Sequence, residues 1–325
     1  MLAEPLKNMI NEFLFVNYGI EGELHRLGGE NLNVSVSSPD GARYVLKIVL
    51  GDAAEGAVQM EHRLLEHARK AGFTLELPVI IKTYKGNLYS GIKIHKNSLK
   101  IAYLMNCVSG STIEKTPDIS TNLLLDTGRA MARLDQSIEG FDDPCTHLAH
   151  QWELPQAGQH RDKIESVKDP DERELVEWAF DLWASVAERL PALPHQVIHG
   201  DANKENLLAA NGRITGMVDF ADACYNPRVC ELAVLLAYMV MDQEDPMSAA
   251  RYVIEGYSGV LELQERELDV LFPLVCGRLA VSVCMASARL SEDPDHPNWF
   301  VSLAPALELL GRLRSVGGGA STIPV

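Results

Sequence analysis

Two acidic residues and an amide form the most specific chemical pattern in this chain. Asp201 and Asn206 lie in Val197-Ile-His-Gly-Asp-Ala-Asn-Lys-Glu-Asn206, and Asp219 lies in Val218-Asp-Phe-Ala-Asp222. Between them, the apolar runs Leu207–Ala210 and Ile214–Val218 flank Asn211-Gly212. That pair favours a two-residue hairpin turn, because both central positions need φ > 0. A hairpin brings the residues before its first strand beside those after its second, so Asp201 and Asn206 meet Asp219 at one end of the ribbon. Hard oxygen donors gathered this way suit Mg²⁺ beside a phosphate, with water and phosphate oxygens completing the octahedron. The bland alternative is a solvated turn, since Asp and Asn favour turns anyway. Four fixed positions at roughly 1 in 20 each arise by chance about once in 160,000 starts, which favours the chemical reading.

The order His199-x-Asp201-x-x-x-x-Asn206, followed by Asp219-Phe220, resembles the catalytic and metal-binding loops of the protein-kinase-like phosphotransferases. More narrowly, it is similar to the aminoglycoside phosphotransferase and choline kinase superfamily. The resemblance implies that Asp201 accepts the proton of an attacking hydroxyl, that Asn206 and Asp219 hold Mg²⁺, and that His199 braces the loop. Asn203 stands two residues past Asp201, where protein kinases use a Lys on the transferred phosphate; an amide donates a hydrogen bond there but no charge. Lys204 is expected to face solvent. Asp222 lies beside the expected acceptor pocket, where it would either hold a substrate ammonium or cap the next element. Glu231 matches an acid that, in the superfamily, braces the catalytic-loop backbone. Ala221 replaces the Gly of protein kinases, and no activation segment separates Asp219 from the helix at Val229. Both departures weaken only a protein-kinase reading.

Elements must hold these groups in place. Leu6, Met9, Ile10, Phe13 and Leu14 have helical spacing, so a helix over 5–17 opens the chain. Two β-rich runs around Pro39-Asp40-Gly41 predict a hairpin preceded by Gly28-Gly29. By resemblance this hairpin covers the nucleotide phosphates, with Gly28, Gly29 and Asn31 in a loop whose backbone approaches them closely. A plain tight turn explains the glycines equally well. Lys47 sits in Tyr44-Val-Leu-Lys-Ile-Val49, where a charge must snorkel or find anions. The resembled fold places its phosphate-binding Lys here and makes Glu61, on the following helix, available to pair with it. Glu55 and Glu66 are rivals, and an exposed edge-strand Lys is the plainer reading. Further β-like runs end at a hinge near Met105–Val108, where by resemblance the backbone of Met105 and Cys107 hydrogen-bonds a purine edge. A boundary near residue 107 separates a nucleotide-binding lobe, 1–107, from a catalytic and acceptor-binding lobe, 108–325.

Beyond that boundary the pattern is mostly helical. Helices are expected over Leu123–Leu134, Asp171–Leu190, Val229–Met241 and Trp299–Leu313, with one or two over Leu268–Leu290 depending on Pro273. The fold class is therefore α+β, and by resemblance a two-lobed protein-kinase-like fold. It would have a small antiparallel sheet, a larger mainly helical lobe and an active site in the cleft.

With 45 acidic against 29 basic residues the formal net charge is −16. That argues against a nucleic-acid or anionic-membrane surface, each of which needs a basic footprint. The six cysteines show no CxxC pair and no metal spacing, as fits buried thiols in a reducing cytoplasm. The apolar run Leu232–Met241 is too short to span a bilayer, and the first residues lack signal-peptide order. A cytoplasmic protein is expected.

The expected reaction is transfer of the γ-phosphoryl of ATP or GTP to an alcohol. Asn31-Leu-Asn33, Tyr44-Val-Leu-Lys-Ile48, His199-Gly-Asp201 and Leu274-Val-Cys-Gly-Arg-Leu-Ala-Val-Ser-Val-Cys-Met-Ala286 together resemble the hydroxylysine kinase branch. Its members phosphorylate 5-hydroxylysine, an amine-bearing acceptor suited to an acidic cleft. Homoserine and aminoglycoside kinase branches share the loops, and a nucleotide-binding protein without turnover is the alternative of another class. Replacing Asp201 with Asn is expected to lower kcat by roughly 10²–10⁴ with little effect on folding. Near-normal turnover would refute the assignment.

Overall fold

The helical spacing at the start of the chain becomes α1 (Glu4–Tyr18), which buries Ile10, Phe13 and Leu14 along one face. The structure, a computed structural model, describes residues 2–28, 31–50, 55–95, 98–116, 118–293 and 303–317. It divides into two compact units, Met1–Glu66 with Glu76–Ser109, and His67–Leu75 with Gly110–Val325.

In the first unit, β1 (Glu23–Arg26), β2 (Leu32–Ser37), β3 (Arg43–Val49), α2 (Glu55–Lys70), β4 (Ile80–Ile81), β5 (Ser90–His95) and β6 (Ser98–Asn106) follow α1. The sheet is antiparallel, in the order β1-β2-β3-β6-β4, with β5 also on β6. Alternation along the strands sorts side chains to its two faces. Leu46, Ile48, Ala102 and Leu104 pack with Ile10, Phe13 and Leu14 of α1. Val45, Val49, Tyr103 and Met105 pack with Val58 of α2 on the other face. Lys47 belongs by parity to that second set, opposite Tyr103 in the β3–β6 register.

The second unit carries β7 (Ser111–Thr112), α3 (Thr121–Ser137), α4 (Pro170–Ala187), β8 (His195–Ile198), β9 (Leu207–Ala210), β10 (Arg213–Met217), β11 (Cys224–Pro227), α5 (Val229–Met239), α6 (Pro246–Ser258), α7 (Glu265–Glu292) and α8 (Leu303–Gly317). Asn211 and Gly212 have φ 52° and 72°, the turn their sequence calls for. Pro273 lies inside α7 without ending it, so one helix forms rather than two. By length and composition α7 could cross a membrane, yet its apolar stretch is entirely buried in the protein, against α4, α5 and α8. The final helix starts at Leu303, and 299–302 lie outside the described residues.

The helices α3 and α6 meet backbone to backbone. A Cβ on Gly128 would lie 2.0 Å from the Val253 carbonyl oxygen, and one on Gly256 would lie 2.1 Å from that of Leu125. Nearby, the Tyr257 hydroxyl donates to the fully buried Asp135 carboxylate. Burial pushes this carboxyl up from 3.8 to about 7, against the pull of the Tyr257 hydrogen bond and of Arg228. Gly128→Ala is expected to cost about 1–3 kcal/mol or more through overpacking, read from the denaturant midpoint; an unchanged midpoint would mean the helices can separate freely. For Asp135 the sign follows from proton binding. Between about pH 4 and 7 the folded state holds a proton that the unfolded chain releases, so this group's contribution to stability falls as pH rises through that window. Asp135→Asn should make the pH dependence of melting temperature between about pH 4 and 7 less unfavourable to the folded state, and an unchanged slope would show the native carboxyl to be ionised.

Candidate active site

The second unit holds two loops between paired ribbons. Strand β8 pairs with β11, joining Ile198 to Cys224, while β9 pairs with β10. The loop from His199 to Asn206 leaves β8 and enters β9, and the loop from Val218 to Ala223 leaves β10 and enters β11. Both loops therefore lie at the same end of these ribbons. Gly200 has φ +79°, and a Cβ there would lie 2.6 Å from the Asp222 carbonyl oxygen. Only glycine allows the first loop to press against the second. Asp219 is held at φ 61°, ψ 70°, a left-handed conformation that a non-glycine residue keeps only when its surroundings impose it.

His199 is fully buried and ties the loops together. Its Nε2–H donates to the Val218 carbonyl at 3.0 Å, so its Nδ1 accepts the Asp201 backbone N–H at 3.3 Å; this neutral tautomer is assigned from the two partners. The His199 backbone N–H donates to the buried Glu231 carboxylate, which braces the loop from α5. The ring packs against Phe220, with centroids 4.5 Å apart. His199 is thus a brace rather than a group facing a reactant.

The Asp201 carboxylate is held by three donors. Its Oδ2 accepts from Asn203 Nδ2 at 3.0 Å and Asn206 Nδ2 at 2.9 Å, and its Oδ1 accepts from Arg278 at 3.0 Å. The Asp201 side chain still keeps 23% of its surface exposed. Burial pushes its carboxyl up to about 7; Arg278 opposes that shift, while Asp222 and Asp219 add to it. Asp222 therefore lies close enough to Asp201 for their charges to interact.

Asn203 is bonded within its own loop at both ends of its amide. Its Oδ1 accepts the backbone N–H groups of Glu205 and Asn206 while its Nδ2 holds Asp201, so both ends of the amide close the loop. Lys204, expected in solvent, is only 11% exposed. Its ammonium donates to the Met241 carbonyl at 2.9 Å and to Asp242 at 3.2 Å, where the residues after α5 attract a cation. Asn206 turns its Nδ2 toward Asp201, which leaves Oδ1 for another partner.

Arg278 was not singled out from the sequence. It lies on α7 with 2% of its side chain exposed and donates to the Tyr238 hydroxyl, the Trp152 carbonyl and Asp201. Its guanidinium carbon lies 5.2 Å from the Trp152 ring centroid and 5.5 Å from that of Tyr238. The available signal was an Arg inside Leu274–Ala286, an apolar stretch where a charge needs a partner.

In the first unit, Lys47 and Glu61 are both buried. The Tyr103 hydroxyl, opposite Lys47 in the sheet, donates to Glu61 Oε2 at 2.7 Å. Sheet parity and α2 thus gather Lys47, Tyr103 and Glu61 on one face, and Tyr103 is a member that the sequence reading missed. Asn31 Oδ1 accepts the Leu50 backbone N–H, and the Gly28 carbonyl accepts from Asn33, so the loop is pinned to the hairpin it precedes. Gly29 lies outside the described residues. Met105 is within β6, paired with Val45 and Ile80. The Cys107 N–H donates to the Arg43 carbonyl at 3.0 Å. This N–H is therefore unavailable to a purine edge, because pairing with β3 continues past the end of β6.

Among the described residues no group of three or more His, Cys, Asp and Glu side chains gathers around a common point. Asn206 and Asp219, on loops at the same end of the ribbons, carry hard oxygen donors of the kind that would suit Mg²⁺ beside phosphate. Asp219 and Asp222 both act electrostatically on Asp201, and a cation held near them would ease that repulsion.

A sequence profile of the phosphotransferase enzyme family matches residues 21–268. Hydroxylysine kinase of Mus musculus is 26% identical over 287 residues, covering 82% of this chain and 76% of its own. Homoserine kinase of Parvibaculum lavamentivorans is 25% identical over 303 residues, covering 90% and 88%. Amicoumacin kinase, solved in complex with AMP-PNP, Ca²⁺ and Ami, superposes with a TM-score of 0.72 at 16% identity, over 94% of this chain and 93% of that one. That superposition bears out the expected α+β kinase-like fold. With the family profile spanning most of its length, this chain belongs to the phosphotransferase enzyme family.

Proposed function

We propose that this protein is a small-molecule kinase that transfers the γ-phosphoryl group of ATP or GTP to the side-chain hydroxyl of an amino-alcohol, with 5-hydroxylysine the first candidate. The observation that carries the reading is the Asp201 carboxylate, oriented by three donors and still 23% exposed. Phosphoryl transfer asks mainly for positioning and charge neutralisation, and Asp201 is built to orient a hydroxyl and receive its proton. His199 and Glu231 hold the loop that presents it. Asn206 and Asp219 would hold Mg²⁺, which when bound supplies positive charge against the phosphates. In the first unit, Lys47, beside Tyr103 and Glu61, is the proposed phosphate anchor. We keep 1–107 as the nucleotide-binding part and 108–325 as the catalytic and acceptor-binding part.

The mouse relative, named for hydroxylysine, supports an acceptor carrying both amine and carboxylate; the Parvibaculum relative, named for homoserine, supports the same chemical class. Asp222 is the group proposed to meet the acceptor ammonium. A silent nucleotide-binding protein is disfavoured because Asp201, Asn206, Asp219 and Lys47 are all present and the first two are locked together. A reducing cytoplasm is the proposed compartment, supported by six cysteines that are all free thiols.

The structure revises the expected mildness of Asp201→Asn toward folding. The neutral amide would leave the Arg278 guanidinium buried without its counter-charge, a loss expected to destabilise the fold, so its kcat must be measured on protein shown to be folded. The deciding experiment is nucleoside-diphosphate release from ATP and GTP with 5-hydroxylysine, homoserine, choline, ethanolamine and kanamycin. Stimulation by 5-hydroxylysine that is absent in Asp201→Asn is expected; stimulation by kanamycin alone would move the protein to another acceptor class. Asp219→Ala should abolish Mg²⁺-dependent nucleotide binding, and undiminished binding by calorimetry would remove Asp219 from the metal site.

A further inference from the structure

Arg278 has no role in the pattern that first pointed to the site, yet it is the only cation found in hydrogen-bond contact with Asp201 among the described residues. Its surroundings decide between two uses. A guanidinium that bound the acceptor would need to face the open side of the pocket. Arg278 is 2% exposed, flanked by the rings of Trp152 and Tyr238, and donates to the Trp152 carbonyl at 3.1 Å and the Tyr238 hydroxyl at 3.3 Å. These contacts fix the side chain from both sides and direct one N–H to Asp201 Oδ1 at 3.0 Å. An ionised carboxylate has about four lone-pair positions, two on each oxygen. Asn203 and Asn206 take both positions on Oδ2, and Arg278 takes one on Oδ1.

We propose that Arg278 is a positioning residue that selects Oδ1 of Asp201 as the reacting oxygen and leaves one lone pair on it for the acceptor hydroxyl. The proposal rests on the kinase reading above. In the reaction so arranged, the acceptor O–H bond breaks and its proton passes to Oδ1. The freed oxygen forms the new bond to phosphorus, and the bond to the leaving nucleoside diphosphate breaks with its electron pair. The carboxylate must be held in plane for this, because a rotation of the group would present a lone pair already engaged by an amide. Asn203 and Asn206 alone grip one oxygen and permit rocking about it. The third donor, from a different element, removes that freedom. Other charged groups near this arrangement are Asp219 and Asp222 on the second loop and Lys163 and His160 on the segment 154–166.

The test combines kinetics with structure, using the full chain. Arg278→Met is expected to lower kcat on the order of 10²-fold, the effect of a small misplacement of a reacting group, while KM for the acceptor and for nucleotide stays within about twofold. Arg278→Lys, which keeps the charge but offers a single point of contact, should fall between wild type and Arg278→Met and serves if the methionine variant does not fold. Methylguanidinium should raise kcat of Arg278→Ala and leave wild type unchanged. An acceptor KM that rises with kcat intact would overturn the proposal and make Arg278 an acceptor-binding group; an unchanged kcat would overturn it outright. A crystal structure of the methionine variant provides a readout independent of turnover. The Asp201 carboxylate should be rotated from its wild-type plane, and an unrotated carboxylate would overturn the proposal even if wild-type turnover, and with it the kinase reading, were lacking.

Discussion

One buried imidazole makes the two loops a single object. His199 donates to the Val218 carbonyl, accepts from the Asp201 backbone and presents its own N–H to Glu231. Three segments distant in sequence are thereby fixed to one another through a ring of two nitrogens and one backbone group. Both ring nitrogens are engaged in complementary roles, which only the neutral form satisfies. Neither Asp201 nor Asp219 makes its own loop rigid; the rigidity comes from this shared anchor and from Gly200, whose missing side chain lets the loops touch.

Around that anchor, the site is a problem in electrostatics at low dielectric. Asp201, Asp219 and Asp222 are close enough for their charges to matter to one another, and repulsion of this kind is weakly screened away from water. Against Asp201 the protein sets the Arg278 guanidinium of α7, itself almost fully buried. In the proposed kinase this would separate duties, with Arg278 facing the base and Asn206 and Asp219 available to a metal.

Much of this was legible in the sequence because the relevant groups lie close together along the chain. The hairpin at Asn211-Gly212 placed Asp201, Asn206 and Asp219 at one end by local turn chemistry alone, and the apolar flanks of Lys47 marked it as a charge in need of a partner or a way to water. What was not legible depended on distance in sequence. Arg278 reaches Asp201, and Trp152 reaches Arg278, through the packing of α7 and the segment before residue 154, which no local periodicity encodes. Tyr103 read as one more strand residue because its partner Glu61 comes from a helix on the sheet face. That the Cys107 N–H is paired with Arg43 was not legible either, since the pairing runs one residue past the end of β6. Lys204 was misjudged because the carbonyl it meets, that of Met241 just after α5, comes 37 residues later.

The place of Arg278 on α7 bears also on how the chain acquires its structure. That helix is apolar over most of its length, and hydrophobic collapse alone would bury it in many registers and rotations. Its one deeply buried guanidinium restricts them. A docking that left Arg278 without the Asp201 carboxylate, the Trp152 carbonyl and the Tyr238 hydroxyl would place an uncompensated charge in the interior, at a cost of several kcal/mol. The docked helix and the formed catalytic loop therefore stabilise each other. Completion of the interior and assembly of the reacting groups become one cooperative event, so a misregistered core and a malformed active site are excluded together.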